Sequence, residues 1–505
     1  MRRFPATLHV VVACGVVFVV SLALGGPPRF LPPWTALFAL SAAALAHLWS
    51  SEKRAGRSAL QSRPDAALFW LCATLYLASF RWHGGDDIPN SLLPYAILKH
   101  GTFSFDPYRQ WATQTGMQDL IHEVRGRLVS VYPVAAGVLA LPLYLIPVAA
   151  GAAPSDVFLH NLSKIAGTLL TAGSVVLVRR TLATRCSPRW AMACALLYGL
   201  GSFAYSVSSQ ALYSHAPAQL GVALGLLALV HEGRAWSVAA GFGFALAWTA
   251  REDSLFYLAA AGLFLLIHRR DRLAAFISGA VLPIALNSAY WRAYSGSLWR
   301  PPYYEMQADL FGGLDVHALV AMLVSPSRGL LFFFPAVIFG LWGAAKACRN
   351  PRTRWVPYMA LASIAMWVFV AFRISWVGGT TFGTRYFALP CMTLAIFAGE
   401  LEDEIRKSSR LSAAWAGTFA LCVLVHAAGA NFQWPGIRLS LERQAAAVWD
   451  VRQFPLAHIF IDGGPISATP QPWRTLYALT LLALAALPAT WMLRWISRER
   501  GSHCP

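Results

Sequence analysis

Apolar residues in this chain gather in runs of about 15–20, the length of helix that crosses a hydrocarbon core, with polar stretches between them. The runs predict spans near 7–24, 34–50, 66–80, 158–178, 189–207, 215–231, 235–250, 254–268, 273–291, 330–346, 355–373, 386–400, 411–429 and 474–494. The expected fold is therefore an all-α polytopic membrane protein of about 14 transmembrane helices. The first run follows Met1, Arg2 and Arg3 as a secretory leader would. No small-residue cleavage site is evident, so it reads as a retained helix.

Alternate loops are short and basic. They hold Lys53, Arg54 and Arg57; Arg179, Arg180, Arg185 and Arg189; Arg269, Arg270 and Arg272; Lys346, Arg349, Arg352 and Arg354; Arg406, Lys407 and Arg410. Short loops rich in Lys and Arg stay cytoplasmic, so an even number of spans puts both termini inside. Residues 133–150 are apolar enough for a further span, but counting them would invert every later loop against this rule. Pro133, Pro142 and Pro147 also divide the segment. It is expected as one or two short helices on the outer membrane surface. The long loops, 81–157, 292–329, 374–385 and 430–473, are then all outer. The implied organisation is two additional N-terminal spans in 1–65, a core over 66–400 and C-terminal spans over 401–505.

The chain has 505 residues, 57% hydrophobic, with net charge +18. Such charge on a soluble domain would suggest nucleic acid. Here the basic residues flank apolar runs, where they orient spans and meet membrane lipids, and nucleic acid is not an expected partner. Cys14, Cys72, Cys194, Cys391 and Cys422 fall inside apolar runs, and Cys186, Cys348 and Cys504 in loops assigned to the cytoplasm. Thiols stay reduced there, and no CxxC or Cys/His metal spacing appears.

The first long outer loop opens Trp82-His83-Gly84-Gly85-Asp86-Asp87-Ile88-Pro89-Asn90. A helix is expected to follow, bent at Pro94 and stopped by Gly101. Asp86 or Asp87 can cap it, with Pro89 in its first turn. Two adjacent carboxylates at a membrane surface can also include a base, because crowding and burial raise a carboxylate's pKa.

An acidic pair opening the first large outer loop, a short surface helix, a Gly, and Tyr132-Pro133 before a second surface helix resemble the GT-C superfamily. Its members are integral membrane glycosyltransferases that use polyprenyl-phosphate sugars, among them protein O-mannosyltransferases and lipid A aminoarabinose transferases. Two further stretches resemble motifs of its bacterial envelope members: Ser325-Pro326-Ser327-Arg328-Gly329-Leu330 and Trp376-Val377-Gly378-Gly379-Thr380-Thr381-Phe382-Gly383-Thr384-Arg385-Tyr386. The resemblance covers roughly 66–400. It implies that Asp86 is the catalytic Asp; Asp87 stands where Glu is usual. It also implies a polyprenyl-phosphate-linked donor and an envelope glycan, lipid or protein as acceptor. The chemistry would take place on the periplasmic side of a bacterial inner membrane, by inverting single displacement. No cofactor is required, and a divalent metal is compatible but not demanded.

A departing phosphate needs preorganised cations. Arg328 and Arg385 each sit in a glycine-bearing outer turn and suit that role; they can equally anchor helix ends on lipid phosphates. Lys164 can snorkel outward or hold the donor phosphate. His215, at the outer end of a span, can contact the phosphate or make a structural hydrogen bond. Arg251-Glu252-Asp253 reads as a self-paired, solvated outer hairpin. Tyr132, Tyr304 and Trp376 are candidate substrate contacts; Tyr304 and Trp376, with Trp299 and Tyr303, can equally belong to the interfacial aromatic belt. A transporter or lipid-linked sugar flippase is the main alternative, though no internal repeat appears.

Overall fold

The computed structural model describes residues 63–79, 85, 87–116, 121–305, 311–379, 381–431, 445–454 and 456–457. The expected spans 7–24, 34–50 and 474–494, most of the 430–473 loop, and Asp86 lie outside the described residues.

Helix α1 (Pro64–Ala78) opens on proline, whose missing N–H costs nothing in a first turn. Helix α2 (Ile88–His100) has Pro89 in its first turn and ends at Gly101, which takes the left-handed conformation (φ 64°). Beyond α3 (Arg109–Thr115) the all-α expectation needs correcting. Strands β1 (Ile121–Val124) and β2 (Arg127–Ser130) form an antiparallel hairpin, with Ile121 opposite Ser130 and Val124 opposite Arg127. Strands this short show little alternation in sequence. The turn is Arg125-Gly126, both at positive φ (51° and 77°), the two-residue geometry that hairpins favour.

Residues 133–150 form one helix, α4 (Ala135–Ala149), which continues through Pro142 and Pro147. Packing on α2 outweighs the backbone bonds that proline removes. A Cβ on Gly137 would lie 2.8 Å from Asn90 O, and Tyr95 meets Tyr144 edge-on at 5.7 Å. The opposite face is apolar and bare, with Leu145 53% and Ile146 80% exposed. That suits a helix resting at the lipid boundary.

A longer series of helices follows. They are α5 (Asp156–Ala183), α6 (Pro188–Leu200), α7 (His215–Val230), α8 (Arg234–Ala250), α9 (Leu255–His268) and α10 (Arg270–Ser295). After α11 (Val316–Val324) come α12 (Leu330–Phe333), α13 (Val337–Ala347), α14 (Val356–Val370), α15 (Ala388–Phe397), α16 (Glu402–Lys407) and α17 (Ser409–Asn431). Among the described residues α5, α10 and α17 are long and apolar enough to cross a membrane, and α1, α4, α7, α13 and α14 are shorter apolar helices. Several expected spans are interrupted. The 189–207 run is α6 plus a π turn at Ala204–Ser208, and the 330–346 run breaks at Pro335 between α12 and α13. Interrupted backbone at membrane depth is tolerated where protein surrounds it, and Ser202, Ser206 and Ser208 are fully buried.

Small residues bring helices close, as they do where lipid supplies no hydrophobic drive. A Cβ on Gly241 of α8 would lie 1.8 Å from Phe276 O of α10, and one on Gly279 1.9 Å from Val238 O. The expected inner loops are tied by carboxylates: Asp65 holds Arg179 and Arg180, Glu400 holds Arg185, and Glu404 holds Lys346. Cys72, Cys194, Cys391 and Cys422 are buried free thiols, and Cys348 is exposed.

Candidate active site

The interhelical turns at the expected outer side converge on a cavity of about 300 Å³. Asn90 of α2 and the Val131-Tyr132-Pro133 segment form one wall. Tyr213, Ser214 and His215, at the start of α7, form another. The α8–α9 turn contributes Arg251, Glu252 and Asp253. Tyr304 and the 373–386 segment, through Arg373, Ser375, Arg385 and Tyr386, complete it.

Three side chains, two from α5 and one from α2, hold the α7 entrance in place. Lys164 Nζ donates to Ser209 O (3.0 Å) and Gln210 Oε1 (3.1 Å). Ser163 Oγ accepts from Leu212 N at 2.7 Å, and Asn90 Nδ2 donates to Leu212 O at 2.9 Å. Lys164 is 1% exposed and does not line the cavity. It neither snorkels nor reaches toward a phosphate there; it secures the loop that presents His215.

Arg251-Glu252-Asp253 is self-paired as expected, but it is not a solvated hairpin. Arg251 Nη2 donates to Asp253 Oδ2 at 2.5 Å, and Asp253 is 4% exposed. Arg251 Nη1 lies 3.3 Å from His215 Nε2. A guanidinium only donates, so this nitrogen accepts and carries no proton. Arg251 also stacks over the Tyr386 ring at 5.4 Å, with Arg373 near the same ring at 5.7 Å. Tyr304 Oη donates to Glu252 Oε2 at 2.5 Å. Burial pushes the Glu252 carboxyl up to about 7; the Tyr304 bond and Arg373 oppose the rise, and Asp253 adds to it. The Tyr304 phenol is likewise raised, by burial first and then by Glu252.

Arg328 and Arg385 part company. Arg385 lines the cavity. Arg328 is fully buried, and its Nε, Nη2 and Nη1 donate to Val377 O (2.9 Å), Gly379 O (2.9 Å) and Ser327 O (3.0 Å). Thr384 Oγ1 donates back to Arg328 O at 2.7 Å. The two arginine motifs therefore interlock, with Arg328 as the stitch and Arg385 as the face. Burial and the nearby Arg385 bring the Arg328 guanidinium down to about 10, so it stays charged at neutral pH. Trp376 is also set back from the cavity, buried and edge-on to His317 at 5.7 Å.

Asp87 is fully buried and outside the cavity lining; its Oδ2 lies 3.0 Å from His160 Nδ1. Of the expected site residues, Tyr132, His215, Tyr304 and Arg385 share the cavity, while Asp87, Lys164, Arg328 and Trp376 do not. Arg373 was not singled out from sequence. The signal was present: it is a basic residue at the outer end of a span, in a chain whose arginines mostly mark inner ends. Among the described residues no group of His, Cys, Asp and Glu is arranged to hold a metal.

No protein-family model and no curated protein sequence matches this chain. The structure is similar to two crystal structures of ArnT from Cupriavidus metallidurans. The one bound to undecaprenyl phosphate is 15% identical, covering 86% of this chain and 77% of that one, with TM-score 0.46. The apo form is 14% identical over the same shares, with TM-score 0.49. The archaeal oligosaccharyltransferase AglB from Archaeoglobus fulgidus, in complex with an inhibitory peptide and a dolichol-phosphate, is 13% identical. That match covers 85% of this chain and 56% of that one, with TM-score 0.39. Both proteins belong to the GT-C superfamily, the group that the sequence motifs resemble.

Proposed function

We propose that this protein is a GT-C-type glycosyltransferase of a bacterial inner membrane. It moves a sugar from a polyprenyl-phosphate donor to an envelope glycan, lipid or protein at the periplasmic face. The observation that carries the reading is the cavity in which Arg251, Arg373 and Arg385 outnumber Glu252 and Asp253, beside the helix that follows Asp86. A cationic pocket suits a lipid-borne phosphate and the charge it gains on leaving.

In this reading Asp86 takes the proton of the acceptor hydroxyl as its oxygen attacks the anomeric carbon. The new carbon–oxygen bond forms as the bond to the phosphate oxygen breaks, and that oxygen keeps the electron pair. Arg373 and Arg385 meet the developing charge, while Arg251, already shared with Asp253, supports them. One displacement inverts the anomeric centre. Tyr132 and Tyr304 offer ring faces and hydroxyls to the sugar.

The test is transfer by purified protein in bilayers, read as release of polyprenyl phosphate from a polyprenyl-phosphate hexose. Asp86→Asn should lower turnover about 1,000-fold while donor binding persists. Full turnover by Asp86→Asn would remove Asp86 from the mechanism. Movement of the intact donor across the bilayer without product would replace the enzyme by a flippase.

A further inference from the structure

Three ionisable side chains join α2 to α5 away from the cavity lining. Asp87 stands at the start of α2, fully buried, yet no helix N–H donates to its side chain. The carboxylate meets His160 instead, with Oδ2 3.0 Å from Nδ1. On the far edge of the ring, Nε2 lies 3.2 Å from Asp156 Oδ1. The ring therefore bridges the two carboxyl groups, through a hydrogen bond at Nδ1 and an ion-pair contact at Nε2. A carboxylate as deeply buried as Asp87 persists only beside such a partner.

The same turn is held twice more. Ser91 Oγ donates to Leu159 O at 2.7 Å and lies 2.5 Å from Tyr144 Oη of α4. Asn90, between these anchors, faces the cavity.

We propose that His160 is a positioning residue. Held between Asp156 and Asp87, it sets the start of α2 and thereby the backbone from which Asn90 faces the cavity. The inference rests on the transferase reading for its kinetic consequence, but the latch itself is independent of it.

The test uses the full chain in lipid nanodiscs, with a C55 polyprenyl-phosphate hexose as donor and hydrogen exchange at residues 88–92 as the second readout. His160→Ala should lower kcat about 100-fold and leave the donor KM within about twofold, because a shifted α2 start misplaces the cavity wall at Asn90, and lost alignment affects the chemical step. Exchange at 88–92 should rise while α7 and α8 keep their protection. His160→Gln, which can bond one carboxylate but not both, should recover part of kcat. Unchanged kcat in His160→Ala overturns the proposal. So does a rise in exchange spread equally over the spanning helices with no rescue by Gln. If the wild type releases no polyprenyl phosphate, the transferase reading alone fails. Exchange at 88–92 then decides the latch: faster in His160→Ala supports it, unchanged sinks it.

Discussion

Glu252 sets the charge of a cavity that otherwise holds three guanidiniums and the Asp253 carboxylate. Its carboxyl titrates near 7 instead of the usual 4.5, because burial disfavours the anion. Below 7 it is neutral and the cavity more cationic; above 7 it adds a negative charge. Affinity for a polyprenyl-phosphate hexose, a diester of fixed charge over this range, should therefore rise as pH falls through 7. Glu252→Gln should hold the high-affinity limit from about pH 6 to 8. A titration of donor binding that keeps its slope in Glu252→Gln would assign the effect to another group. Arg328 and Arg385 should separate just as cleanly. Arg328→Ala leaves the carbonyls of Val377 and Gly379 unmet inside the protein, costing about 3 kcal/mol in denaturant unfolding. Donor affinity of the folded fraction should barely change. Arg385→Gln should do the reverse, weakening donor binding about tenfold with little loss of stability.

At the scale of elements, the contact between α2 and α4 positions Asn90. A side chain at Gly137 would collide with Asn90 O and with Leu93, whose Cδ2 would lie 2.9 Å from the new Cβ. Gly137→Val should therefore lower transfer about tenfold or more, although it lies outside the cavity lining. Normal kinetics in that variant would show that α2 is placed by α5 alone. The helices themselves were legible in sequence because length and hydrophobicity suffice to mark a span: the 158–178 run became α5 and the 411–429 run α17. What the pattern cannot carry is direction. It marks Arg328 and Arg385 as outer cations in glycine-bearing turns, but not that one turns into the protein and the other into the cavity. Lys164 was ambiguous for the same reason, since carbonyls inside the protein attract an ammonium as water or phosphate would. The hairpin was hidden by brevity, with four residues per strand and Gly126 as its main cue. Arg251-Glu252-Asp253 was read correctly as paired but wrongly as wet, because a charged tripeptide between spans says nothing of what folds over it.

For the whole molecule, the proposed orientation has the α13–α14 loop on one side of the membrane and the cavity on the other. Cys348, an exposed thiol in that loop, should resist a membrane-impermeant maleimide in intact cells and react once the membrane is opened. A cysteine in place of Arg125, at the exposed tip of the hairpin, should react in both. The opposite labelling, read by peptide mass spectrometry, would place the cavity in the cytoplasm and end the donor assignment. The bare face of α4 has a mechanical consequence. In the proposed orientation Leu145 and Ile146 face acyl chains while Gly137, two turns away, packs on α2, so one helix would link the leaflet to the cavity wall. Turnover of one and the same polypeptide should then vary with acyl-chain length and vanish or recover as micelles are exchanged for bilayers of differing thickness. Indifference to those solvents would disconnect the leaflet from the cavity.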